Sequence, residues 1–183
     1  DLEMDQTQWA PETSLGNKYQ FNRILEQGIL GVAYEIEHFE WEGSLKLKRF
    51  LSDYFTNHTQ GQHLKHAIDR WIALPSYPNL VNAYYWETFE GELCLVMEYV
   101  EGVNGRHFLL QSGLRERIDI LIQLGHALQR AHRNRLIHGH LTPENMLITP
   151  GNVLLLGDFC GLAFHFEKFE PEKWSPDPDE CMV

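Results

Sequence analysis

Cysteine is scarce in this chain. There are three, Cys94, Cys160 and Cys181, an odd number at wide spacing. That excludes a disulfide framework and fits a reducing, cytoplasmic setting. Long apolar runs are missing as well. None approaches the roughly 20 residues that a bilayer span requires, and the N-terminus carries no signal-peptide pattern. Positive charge is in deficit, with 15 basic against 26 acidic residues and a net charge of −11. Such a balance repels phosphate backbones and anionic lipid, which argues against nucleic acid or a membrane as the main partner. No internal repeat or low-complexity tract is present. The chain opens on Asp1 rather than Met, so an intact translation product is not expected.

What the sequence does hold is enough for a core. It has 183 residues, 43% of them hydrophobic, with five Trp. This suits one domain, or two lobes sharing a cleft. Residues 1–16 are polar and without periodicity and read as a leader, with Trp9 available to pack onto the domain. "KYQFNRILEQG" and "GVAYEIEHF" predict two strands around a turn containing Gly28 and Gly31. "SLKLKRFL" predicts a third, with Leu45 and Leu47 on one face and Lys46 and Lys48 on the other. Leu64, Ala67, Ile68, Trp71 and Ile72 recur at helical spacing over about His63 to Leu74, ahead of Pro75 and Pro78. "LVNAYYWETFEGELCLVMEYV" reads as two more strands.

After Gly102 the period becomes helical. Leu114, Ile118, Leu121, Ile122, Gly125, Leu128 and His132 fall along one stripe. Two short apolar runs, "MLI" and "VLLL", follow around the turn "TPGN".

Several residues suit phosphate and metal chemistry. Gly28 and Gly31 let backbone N–H groups approach phosphate oxygens. Lys48 can neutralise phosphate charge from the next strand. "VMEYVEG" closes an apolar strand and offers backbone donors and acceptors to a flat heterocycle. Asn145 and Asp158, 13 residues apart, supply the amide oxygen and carboxylate that Mg²⁺ takes beside phosphate oxygens. Each feature alone is unspecific.

In order, "LEQGILGVAY", "LKLK", "YPNLV", "LVMEYVEG", "HGHLTPENMLI", "GDFCGLA" and "EPEKWSP" resemble a eukaryotic-like Ser/Thr protein kinase over about residues 17–174. The resemblance implies an α+β, two-lobe protein-kinase-like fold, with a five-stranded antiparallel small lobe and a partial helical large lobe. The expected organisation is a leader at 1–16, a small lobe at 17–100 and a large lobe at 101–183. By the same resemblance, Gly28 and Gly31 cover nucleotide phosphates and Lys48 contacts the first two of them. Met97 is the gatekeeper, Glu98 and Val100 offer backbone hydrogen bonds to adenine, and Asn145 and Asp158 hold Mg²⁺. ATP and Mg²⁺ are the implied cofactors.

The chain departs from the family pattern at several of these positions. Glu26 replaces the first glycine of the loop. With Lys48 as the cleft lysine, the adenine-pocket alanine becomes Lys46. A shifted register would make Lys46 the cleft lysine, and spacing favours Lys48. The helix glutamate that should meet this lysine falls on Ala67 or Ile68, with Asp69 beside it. The proton-accepting aspartate of the catalytic loop is His140 and its assisting lysine is Thr142. The Asp-Phe-Gly motif reads Asp158-Phe159-Cys160, then Gly161. About a dozen residues separate it from "EPE", so the activation segment is very short.

The expected function is therefore a pseudokinase, regulatory or scaffolding, that binds Mg²⁺-ATP without efficient phosphoryl transfer. No catalytic residue is assigned. The alternatives are a weak or unconventional Ser/Thr kinase using His140 or substrate-assisted proton transfer, and a structural interaction domain that binds no nucleotide. The large lobe is expected to leave the stripe at Ile118, Leu121, Ile122 and Leu128 partly uncovered. That implies a protein partner, or the remainder of a longer chain, across its open face.

Overall fold

The computed structural model describes Trp9 and residues 14–28, 31–51 and 58–160, with 58–60 described by backbone alone. The tip of the glycine turn at 29 and 30, and everything from Gly161 through the "EPE" run, lie outside the described residues.

The small lobe is one antiparallel sheet. Its strands are β1 (Ser14–Leu15), β2 (Tyr19–Gly28), β3 (Gly31–His38), β4 (Ser44–Phe50), β5 (Ala83–Phe89) and β6 (Glu92–Glu98), in the order β1-β2-β3-β4-β6-β5. Five strands match the sequence expectation. The sixth, β1, falls at the end of the stretch expected to be leader. Gly16 and Asn17 both adopt left-handed backbone angles, which fold Leu15 back onto Tyr19 and Ser14 onto Gln20.

Each face of the sheet carries a set of buried side chains, because residues alternate between the faces along each strand. Tyr19, Phe21, Tyr34, Ile36, Leu47 and Val96 form the outer core, and Trp9 closes it. Its ring sits against Phe21, Tyr34 and the Arg49 guanidinium, the last 4.5 Å from the ring centre. Arg49 is itself ion-paired to Glu92. On the inner face, Phe50, Leu95 and Met97 join Leu64, Ile68 and Trp71 of helix α1 (His58–Ile72). Those three helical positions repeat at four and three residues, which puts them on one side. The helix begins five residues before the periodicity suggested.

Gly31 is where the glycine turn rejoins the sheet. Its φ is +154°, and a Cβ there would overlap the Arg49 carbonyl oxygen of β4. Gly28 has open space around it. Gly31→Ala is therefore expected to cost on the order of 3 kcal/mol, and Gly28→Ala within about 0.5 kcal/mol. Urea unfolding midpoints of the two variants would check the contrast.

The large lobe begins with β7 (Val103–Asn104), α2 (Gly105–Gln111) and α3 (Leu114–Arg133), followed by β8 (Met146–Ile148) and β9 (Leu154–Leu156) in a small sheet ordered β7-β8-β9. The segment after α1 ties the lobes together. Val81 N–H donates to the Leu156 carbonyl, and Leu156 N–H to that of Asn79, both at 3.0 Å.

Helix α3 leaves Ile118, Leu121 and Ile122 of the expected stripe uncovered, as the sequence suggested, while Leu128 packs partly against the core. The buried side of the helix is Ile120, Leu124, Ala127 and Ala131, where the small alanines allow close approach to the core. Leu114, Ile118, Leu121 and Ile122 are exposed, Leu114 at 75% and Leu121 at 59%. The more apolar side is thus the uncovered one. No helix among the described residues is long and apolar enough to cross a membrane.

Candidate active site

The cleft between the lobes is roofed by the inner face of β3 and β4. In β4, alternation turns Lys46 and Lys48 towards the cleft, as the sequence suggested. Lys48 stands opposite Ala33 of β3 and Leu95 of β6. Its ammonium lies 2.6 Å from Asp158 Oδ1, and little of either side chain is exposed. Among the described residues this is the carboxylate that lysine meets. The register question is thereby answered geometrically: Lys48, not Lys46, reaches Asp158.

Burial alone would raise the Asp158 pKa. The ammonium of Lys48, supported by the charge of Lys46, overrides burial and holds the carboxyl at about 2. Burial would likewise lower the pKa of Lys48, and Asp158 more than offsets it, so the shift is upward. Both groups are charged at neutral pH.

Asp158 has a left-handed backbone, φ 60°, a conformation that aspartate tolerates better than most residues. The next two residues hold it there. Phe159 is fully buried against Trp71 of α1 at 5.5 Å and against His138 at 5.0 Å, centre to centre. Trp71 is fixed in turn, its Nε1–H donating to the Val81 carbonyl at 2.9 Å. Cys160 is also buried, and burial pushes its thiol up to about 12, so it stays protonated.

The loop from Ile137 to Asn145 is organised by hydrogen bonds between its side chains and backbone. His138 is buried, and burial is the main cause of its lowered pKa. Its Nδ1 accepts the His140 N–H at 3.3 Å. The proton of the neutral ring is then on Nε2, which donates to the Gly157 carbonyl at 2.7 Å. Asn145 closes the loop from the other end, Nδ2 donating to the His140 carbonyl at 2.8 Å. With the amide nitrogen committed in this way, Oδ1 is the atom of Asn145 suited to a metal. Such an oxygen and the Asp158 carboxylate are hard donors that match Mg²⁺. His140 itself is exposed.

The expected helix glutamate is absent, as the sequence indicated. Ile68 is buried in the core, and Asp69 accepts a hydrogen bond from Trp86 Nε1 at 2.8 Å, away from Lys48. Asp158 is the partner Lys48 has instead. At the lobe junction, Glu98 N–H donates to the Asn82 carbonyl at 2.9 Å. Its side chain accepts from Asn82 N and Nδ2 at 3.1 and 2.8 Å. Val100 lies two residues beyond the end of β6. Gly28 ends β2, directly opposite Gly31.

Sequence reasoning missed one contact entirely. Lys46 Nζ lies 3.5 Å from Glu26 Oε2, so the two residues that depart from the glycine and alanine of the family pattern are paired. A signal existed, since the two departures carry opposite charge, but only the strand register brings them together.

The order of strands, the two-lobe layout and this cleft define a protein kinase fold. The chain matches the protein kinase domain family over residues 19–175, and it belongs to that family. It is 30% identical over 158 residues to the serine/threonine-protein kinase PknA of Mycobacterium tuberculosis, covering 82% of this chain and 36% of the relative. To serine/threonine-protein kinase PrkC of Bacillus subtilis it is 25% identical over 152 residues, covering 81% and 23%. The chain thus spans about a quarter to a third of the length of these curated relatives. Among solved structures, a point mutant of the PknI kinase domain of Mycobacterium tuberculosis superimposes with a TM-score of 0.74 at 21% identity, covering 83% of this chain and 62% of that one. That likeness concerns the fold.

Proposed function

We propose that this domain is a pseudokinase, a regulatory or scaffolding module that binds Mg²⁺-ATP and transfers its phosphoryl group poorly or not at all. One observation carries the reading. Lys48 and Asp158 are paired in the cleft and Asn145 braces the loop through the His140 carbonyl, while the position of the proton acceptor holds the exposed His140 and that of its assisting lysine holds Thr142. In the family, Mg²⁺ neutralises charge on the transferred phosphate, and an aspartate accepts the substrate hydroxyl proton. Here Lys48 would contact phosphate, Asn145 and Asp158 would hold the metal, Gly28 and Gly31 would cover the phosphates, and the backbone of Glu98 and Val100 would take the base. Histidine has a suitable pKa for proton transfer, but it is larger than aspartate and reproduces neither the carboxylate's position nor its charge.

The uncovered side of α3, at Leu114, Ile118, Leu121 and Ile122, supports a second part of the proposal. A protein partner, or the remainder of a longer chain, covers this face.

Melting the protein with and without Mg²⁺ at about millimolar ATP tests the reading. A Mg²⁺-dependent rise worth about 1–3 kcal/mol is expected, with no γ-phosphate transfer to the protein itself or to a basic protein substrate. His140→Asp combined with Thr142→Lys should gain transfer. Transfer by the unaltered chain that Asp158→Ala abolishes would establish instead a working Ser/Thr kinase, the activity named for its relatives. No melting response in folded protein would leave the interaction-domain reading.

A further inference from the structure

The Glu26–Lys46 contact occupies a particular place in the cleft. Glu26 is on β2 and Lys46 on β4, with β3 between them in the sheet. Neighbouring strands are about 4.8 Å apart, so two strands separated by a third lie roughly 10 Å apart. A side chain from each must reach beneath β3 for their charges to meet at 3.5 Å.

The residue they pass is Ala33. It pairs with Glu26 on one side and Lys48 on the other. Its single methyl leaves the room that a larger residue would fill. Although Ala33 belongs to the inner, cleft-facing set of β3, it is only 2% exposed. Lys46 also stands opposite Met97, one residue from Glu98 at the lobe junction. Lys46 therefore sits on the junction side of the roof, where a flat base would slide in, and Glu26, about half exposed, meets it from the level of Lys48. Lys46 acts on the carboxyl of Asp158, so its charge also reaches into the cleft.

We infer that Glu26 and Lys46 form an internal latch that closes the base-binding half of the cleft, so that a nucleoside enters only when their contact opens. The inference rests on the nucleotide-binding reading and adds its regulation. Both charges are satisfied when the cleft is closed. On entry of a ligand, Lys46 has to leave Glu26 and swing its stem aside. Phosphates offer Lys46 a substitute for the lost carboxylate, whereas adenosine offers none. The latch accordingly discriminates against uncharged nucleosides and against weakly charged ligands. Glu35 does not compete for Lys46 in the closed state, because Arg23 and Ser44 occupy both of its carboxylate oxygens at 2.6 and 3.0 Å.

The test is calorimetric titration of the full chain with Mg²⁺-ADP and, separately, adenosine. Unaltered protein, Glu26→Gln, Lys46→Ala and the double variant are compared, each first shown to melt cooperatively. Both single variants should bind adenosine about threefold more tightly, the range expected from removing a partly exposed ion pair, and Glu26→Gln, which keeps the lysine for the phosphates, should also bind Mg²⁺-ADP more tightly. The double variant should gain no more than the better single variant, since both act through one contact. If Glu26→Gln improves Mg²⁺-ADP but not adenosine, Glu26 merely repels phosphate and the latch is overturned. Equal affinities in all four proteins also overturn it, while leaving nucleotide binding in place. Absence of binding in all four removes the nucleotide reading, and the latch with it.

Discussion

Replacing Asp158 with alanine is expected to cost about 3–5 kcal/mol of folding stability and to abolish any nucleotide response. The large loss comes from what remains. Lys48 stays buried on the inner face of β4, without its carboxylate. Removing one member of a buried pair costs more than the pair contributes net. Replacing both, as Lys48→Met with Asp158→Ala, should therefore be milder than the sum of the single changes, with a coupling that a double-mutant cycle in urea resolves. The pH dependence has a defined sign. Asp158 sits at about 2 in the fold against 3.8 ordinarily, so its contribution is complete above about pH 4 and disappears as pH falls to about 2. Lys48 is shifted upward, so its contribution is complete below about pH 10 and is lost above its raised value. Asp158→Asn should flatten the acid limb of the stability profile. An unchanged acid limb in that variant would show that the ion pair does not set it.

Trp71→Ala should lose a similar amount, about 3–5 kcal/mol, by a different route. Trp71 is 1% exposed, supports Phe159 and satisfies the Val81 carbonyl. The side chain's removal opens a cavity at the junction of the lobes. Because Phe159 follows Asp158 directly, the loosened ring lets the carboxylate wander, and nucleotide response should fall even where the protein remains folded. Trp71→Phe keeps much of the packing and forgoes the hydrogen bond, for a loss of about 1–3 kcal/mol. Urea curves with unchanged slope, read alongside Mg²⁺-ATP melting shifts, separate the two effects. A folded Trp71→Ala protein with full nucleotide response would refute the link between Phe159 packing and the site.

Much of this was legible in the chain. The alternation of "SLKLKRF" places Lys46 and Lys48 on one face whatever else the sheet does. Spacing selects Lys48, and the structure puts it on Asp158. The absence of a helix glutamate could likewise be counted from "YPNLV". Other features depend on which surfaces meet. The stripe of α3 at Leu114, Ile118, Leu121 and Ile122 is its most hydrophobic side, yet the helix packs through Ile120, Leu124, Ala127 and Ala131. Periodicity reports amphipathicity, and a helix apolar on two sides leaves the choice to its neighbours. The Glu26–Lys46 contact was hidden for a related reason. Each residue was visible as a departure from a pattern, but their meeting needs the cross-strand register and the small Ala33 between them. The strand β1 was missed because two residues carry no period, although Gly16 and Asn17 marked the turn.

Trp9 changes where this domain should be cut. The family match opens at Tyr19, and a protein trimmed to that boundary would discard both Trp9 and β1. It would uncover Phe21 and Tyr34 and strip the indole from Arg49, whose neighbour in β4 is Lys48. The edge of β2 would also lose its partner strand, leaving unpaired backbone as a template for association between copies. A preparation begun at Tyr19 would thus invite aggregation, and its silence toward nucleotide would report on the scissors rather than on the cleft.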